Sequence, residues 1–124
     1  MFHQDILTLA KENKNFRDVL FTGKHTQLVV MSLNEGEDIG SEVHHHNDQV
    51  LLFVEGEGRV EVGNESSDVG AGDCVAVPAG SLHNVTNTGD GELKIVTIYG
   101  PANHDPDTVH ATKADALEDE GLPE

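Results

Sequence analysis

Turn residues divide this chain into short apolar runs, and that rhythm limits what it can fold into more than any other feature. Turn signals recur every eight to twelve residues, at Thr22-Gly23-Lys24, Asn34-Glu35-Gly36-Glu37, Gly56-Glu57-Gly58, Gly63-Asn64, Gly70-Ala71-Gly72-Asp73 and 88–91. The runs between them are rich in Val, Ile, Leu and Thr and too short for ordinary helices, so they predict strands. QLVVMSL (27–33) and ELKIVTIY (92–99) are the longest, with 16–21, 49–55, 59–62, 74–77 and 85–86 beside them. The polar segment 65–69 is expected as an edge strand or loop after a hairpin at Gly63-Asn64. Pro78 ends the run 74–77, expected as a buried strand holding Cys74. Eight or nine short strands favour a sandwich or barrel. Ile6, Leu7, Leu9 and Ala10 suggest a short amphipathic helix within 4–13. Past Pro101 the pattern lapses into an irregular acidic tail, 101–124, where Thr112 could cap a short helix through Leu117 and the last residues should fray. With 124 residues and no repeated segment, a single domain, 1–124, is expected.

Charge removes several classes of function. Twenty-three acidic against seven basic residues give a formal net charge of −16. Such a surface has no basic patch to neutralise phosphates, so neither nucleic acid nor an anionic membrane is an expected partner. Self-repulsion of this size destabilises a compact state unless salt screens it, a lever that halophilic proteins use. Lysines outnumber arginines five to two, against a halophile's usual preference, so a halophilic protein and an ordinary acidic one both stand. The lone cysteine, Cys74, forbids an intrachain disulfide and fits a reducing compartment. No apolar run reaches membrane-spanning length, and the first residues lack a secretory pattern; a cytoplasmic location is expected.

The chemistry concentrates in GEDIGSEVHHHNDQVLLFVEG, residues 36–56. On an extended segment Glu42, His44 and His46 share one face, with Val43 and His45 on the other. Gln49, Leu51 and Phe53 share a face of the next strand and bring a polar tip to an apolar surface. Imidazole and oxygen donors converging at the mouth of a β-structure suit a transition metal. If the segment stays extended past His44, His46 could take the place of Glu42; if the chain turns there, His45 and His46 are surface residues. His25, His104 and His110 fall on expected loops and are read as solvated. Nothing basic adjoins Cys74, which is read as packing rather than reactive.

The spacing resembles that of the cupins. Gly36, Glu42, His44, Gln49 and Gly56 fall at the fixed positions of the first cupin motif, although most metal-binding cupins carry His and Glu where this chain has Glu42 and Gln49. Gly72, Pro78, Gly80, His83 and Asn87 match every fixed position of the second motif. The likeness covers roughly 27–99 and is to small single-domain cupins of the mannose-6-phosphate-isomerase-like type. It implies an all-β jelly-roll barrel (a double-stranded β-helix) with the N-terminal helix and strand, 4–21, and the tail outside the barrel core. It also implies one divalent transition metal per chain (Fe, Mn, Ni or Zn) held by Glu42, His44, Gln49 and His83.

Two imidazoles, one carboxylate and one amide carry the same total charge as the usual three imidazoles and one carboxylate, so the carboxylate looks relocated rather than lost. Gln49 would be either a weak ligand or a substrate-orienting group, and Asn87 a turn-stabilising side chain. His44 and His83 as metal-free, partly buried histidines are the competing reading. No phosphate loop, nucleophile elbow or CxxC pair is present, so any catalysis must come from the metal with a nearby acid or base, for which Tyr99, His46 and the neighbourhood of Gln49 are candidates. Two functions follow: a metal-dependent enzyme, of isomerase or dioxygenase type, on a small polar metabolite such as a sugar or keto acid derivative, or a non-catalytic metal- or small-molecule-binding module. Cupins commonly pair, and the apolar strand 16–21 offers an edge for a homodimer.

Overall fold

The structure, a computed structural model, describes residues 1–120. A short helix α1 (Ile6–Glu12) precedes the strands β1 (Arg17–Thr22), β2 (Gln27–Leu33), β3 (Asp48–Glu55), β4 (Glu57–Val62), β5 (Glu65–Gly70), β6 (Cys74–Val77), β7 (His83–Asn87), β8 (Leu93–Gly100) and β9 (Val109–His110). A second helix, α2 (Lys113–Glu120), follows. The strands form a six-stranded antiparallel sheet in the order β6-β3-β8-β2-β1-β9 and a three-stranded sheet in the order β5-β4-β7. This is the all-β, jelly-roll architecture that the sequence implies.

Alternation decides which side chains fill the interior. Gln49, Leu51 and Phe53 of β3 point inward, as their spacing predicts, and meet Val29, Met31 and Leu33 of β2, Ile95 and Tyr99 of β8, and Val60, Val77 and Val85. β2 and β8 are apolar on their outward faces as well, because α1 lays Ala10 over Val30 and Val96. Asp5 caps that helix, its carboxylate accepting from the Thr8 backbone N–H at 3.1 Å. Gly56 ends β3 with φ at +95°, and a Cβ there would lie 2.6 Å from the Glu92 carbonyl oxygen, so only glycine fits this corner.

Three expectations are corrected. The tail is not irregular: β9 pairs with Arg17 and Asp18 of β1, and α2 follows it as a helix that runs beyond Leu117. The frayed end expected at 121–124 lies outside the described residues. β1 is consequently not an open edge along its whole length, since β9 pairs with Arg17 and Asp18 and the Val19 N–H donates to the Thr108 carbonyl. β6 and β9 are the outer strands of that sheet, and Cys74 is exposed on β6 rather than buried, because Val75 and Val77 take the inward phase.

Candidate metal centre

Residues 37–44 do not form a regular strand, yet they are zipped along β7. The Asn87 N–H donates to the Glu37 carbonyl at 2.8 Å, and the Ile39 N–H to Val85 at 2.9 Å. Glu42 and His83 exchange both backbone bonds at 3.0 Å, and the Gly80 N–H donates to the His44 carbonyl at 2.8 Å. This pairing carries Glu42 and His44 to the side of His83. Gly80 sits at φ +87°, a conformation costly for other residues, in the turn that brings its N–H to His44. Asn87 does stabilise a turn: it is buried, donates to the Leu33 and Gly91 carbonyls and accepts from the Gly89 N–H. The chain bends after His44, leaving His45 and His46 exposed, so the surface alternative is the one adopted.

One donor atom from each of Glu42, His44 and His83 lies within 4.8 Å of the others. The two imidazole rings are 5.1 Å apart, and His44 Nε2 is 3.5 Å from Glu42 Oε1. His83 Nδ1 donates to the Ser81 carbonyl at 2.9 Å, which leaves the Nε2 lone pair for a cation. Gln49, 2% exposed, donates through Nε2 to Thr97 Oγ1 at 2.9 Å and to Tyr99 Oη at 3.2 Å. Those two bonds fix the amide and turn Oε1 away from the hydroxyls. His44 Nε2, His83 Nε2 and Gln49 Oε1 are all buried without a hydrogen-bond partner.

An orphaned buried polar atom is expensive, and three from the same short constellation mean that the protein leaves room for a partner of its own. Two imidazoles, a carboxylate and an amide oxygen suit Fe(II), Mn(II), Ni(II) or Zn(II). Burial alone would raise the Glu42 carboxyl, but the His44 imidazole, with Arg17 and His83 behind it, holds it below its ordinary value. It therefore stays a carboxylate at neutral pH, the form a metal needs.

A second group, absent from the sequence reading as site residues, overlies this cluster. A cavity of about 480 Å³ is lined by Glu42, Val43 and His44 on one side and by Asn103, His104, Asp105, Thr108, His110 and Asp119 on the other. His104 and His110 are thus not solvated loop residues. Gln27 accepts at Oε1 from the Asn103 and His104 N–H groups and donates to the His104 carbonyl. Asn47 donates to the Pro101 and Ala102 carbonyls. His104 Nε2 reaches Tyr99 Oη at 3.4 Å, and burial pushes its pKa down to about 3. His110 takes a hydrogen bond from Arg17 at Nδ1, 3.1 Å, so its Nε2–H donates to Asp119 at 3.0 Å. The one available signal was Gln27, a polar residue in the inward phase of an apolar strand, which needs partners from elsewhere in the chain.

The family model of the cupin domain matches residues 29–99. The chain belongs to the cupin family. Among cupin-like relatives it is similar to a solved structure of BH2720 from Bacillus halodurans, with a TM-score of 0.93 at 42% identity, covering 94% of this chain and 93% of that one. It is 46% identical to the uncharacterized protein YrkC of Bacillus subtilis over 94% of this chain and 66% of that protein. A more distant likeness, 24% identity, covers 74% of this cupin and 19% of the mannose-1-phosphate guanylyltransferase ManC of Salmonella typhimurium. The chain therefore spans about two thirds of YrkC and under a fifth of ManC.

Proposed function

We propose that this cupin is a metal-dependent enzyme of isomerase or oxygenase type acting on a small polar metabolite, such as a sugar or keto acid derivative. The observation that carries the reading is the set of three buried donor atoms without partners, His44 Nε2, His83 Nε2 and Gln49 Oε1, beside the Glu42 carboxylate. These four residues would hold one divalent ion, which when bound supplies Lewis-acid polarisation of a carbonyl or hydroxyl oxygen. The chain's own groups do the rest. Ser81 holds His83 in the ligating tautomer, and Thr97 and Tyr99 aim the Gln49 oxygen. Asn47 and Gln27 fix loop 101–104 beside the site. Tyr99 and His104, in contact with each other beside the site, are groups that could pass a proton. The limited likeness to ManC supports a sugar-type metabolite. The single cysteine supports a cytoplasmic location, and among the described residues no helix is long and apolar enough to cross a membrane.

The test has two stages. Elemental analysis of reconstituted protein should give about one transition-metal ion per chain, and the H44A/H83A double variant should lose it. Substoichiometric metal in the wild type, or unchanged metal in the variant, overturns the centre. Metal-loaded protein is then screened on a panel of sugars, sugar phosphates and keto acids. Turnover that disappears in E42A supports the enzyme, and metal binding without any turnover assigns the protein to the binding-only class.

A further inference from the structure

The cavity above the metal centre has a charge pattern that discriminates between substrate classes. Three carboxylates line it, Glu42, Asp105 and Asp119, and among the described residues its lining holds no lysine or arginine. The remaining polar lining is His44, Asn103, His104, Thr108 and His110, the last paired with Asp119. Arg17 lies buried beneath, against His110, rather than in the lining. A bound divalent ion together with Arg17 would balance the three carboxylates, so the loaded pocket would carry no net positive charge. The surrounding molecule, at −16, repels one.

A second observation marks this as a ligand site rather than an acidic rim. His44, whose buried Nε2 has no hydrogen-bond partner, is part of its lining, and two buried amides, Gln27 and Asn47, spend their hydrogen bonds on fixing loop 101–104. That loop delivers His104 and Asn103 to the cavity. Its volume of about 480 Å³ suits a ligand of sugar size. We infer that the pocket takes a neutral hydroxyl-bearing ligand, a polyol or unphosphorylated sugar, in preference to a carboxylate or phosphate ester, with His104 as a ligand-contacting side chain. This rests on the reading that a small polar metabolite enters here, and it selects among that reading's substrates. Neutral imidazole at His104, enforced by burial, can both accept from and donate to a hydroxyl without attracting an anion.

The probes are matched pairs: D-mannose with mannose 6-phosphate, and glycerol with glycerate. Each is titrated calorimetrically at low salt into zinc-loaded and metal-free protein, and zinc is assayed in the same samples. In at least one pair the neutral member should bind about tenfold more tightly than its anionic counterpart, the size of gap that modest like-charge repulsion produces. D105N/D119N should close that gap to under about threefold by admitting the anion, as should 1 M salt by screening. H104A should weaken the neutral ligand about tenfold, as loss of one buried hydrogen-bonding contact does, with zinc stoichiometry unchanged. Equal or tighter binding of the anion, no binding by either pair, or a gap untouched by D105N/D119N overturns the inference. Protein that takes no zinc but keeps the neutral preference overturns the metal reading and supports this one. Protein that takes zinc and prefers the anion does the reverse.

Discussion

Lys94 is a buried charge outside the metal centre. It is 1% exposed, and its ammonium donates to the Asn13 carbonyl at 2.6 Å, to Ser32 Oγ at 3.0 Å and to Glu92 Oε2 at 2.9 Å. Glu92 in turn accepts from Lys14 and Ser32. The bond from Lys94, then those from Lys14 and Ser32, hold the Glu92 carboxyl down at about 2, against an ordinary 4.5. A depressed carboxyl stabilises the fold fully above its unfolded value, and the contribution fades as pH falls from about 4.5 towards 2. E92Q leaves the buried ammonium without its counter-charge. Because Glu92 is itself a third exposed, the expected cost at pH 7 is about 1–2 kcal/mol, below that of a wholly buried pair. Urea denaturation at pH 7, 4.5 and 3 should show that loss and a shallower fall of stability with acid in the variant; identical pH slopes would refute the account.

At the scale of elements, the unexpected structure is the strap formed by loop 101–104, β9 and α2. β9 contributes only two residues to the sheet, too few for strand patterning to show, and α2 buries Ala116 while leaving Leu117 exposed. Side-chain ties hold it in place: Lys113 pairs with Asp38, whose carboxyl the Lys113 ammonium and then Asn84 keep below its ordinary value, and His110 pairs with Asp119. These partners are partly exposed, so each tie contributes modestly, on the order of 1 kcal/mol or less. In D38N, hydrogen exchange of peptides across 105–120 should quicken several-fold while β2 and β8, central in the larger sheet, stay unchanged. Exchange that rises equally throughout the chain would mean that the strap is not a separate unit.

For the whole molecule, the net charge of −16 is the dominant property. Screening shortens the range of that repulsion from about 10 Å at 0.1 M salt to about 3 Å at 1 M. We propose a halophilic adaptation, in which case the melting temperature should keep rising from 0.1 to 3 M potassium chloride; a plateau above about 0.5 M, where screening is nearly complete, rejects it. We also propose a homodimer. With β9 covering Arg17 and Asp18, the edge of β1 left for a partner shrinks to its second half, where Phe21 is exposed beside Leu28 and Ile98 of the outer sheet face. Light scattering at micromolar concentration and moderate salt should give twice the chain mass, and a monomer mass would rule the dimer out.

The amino-acid sequence by itself determined most of the strands, the inward phase of β3 and the positions of the cupin motifs, but not β9 or the phase of β6. Short apolar runs between glycine turns admit little else, and Gly36–Gly56 and Gly72–Asn87 fix spacing as well as residue type. It also supplied Glu42, His44 and Gln49 as candidates on named faces and, through the resemblance to the second cupin motif, His83. Only the tertiary structure decided that the donor atoms of Glu42, His44 and His83 come within 4.8 Å, since the Glu42–His83 pairing spans some forty residues of chain. It also moved His104 and His110 from solvent to the mouth of the site. Their placement depends on Gln27, Asn47 and Arg17, whose partners lie 54 to 93 residues away, and no periodicity in a sequence records a hydrogen bond made at that distance.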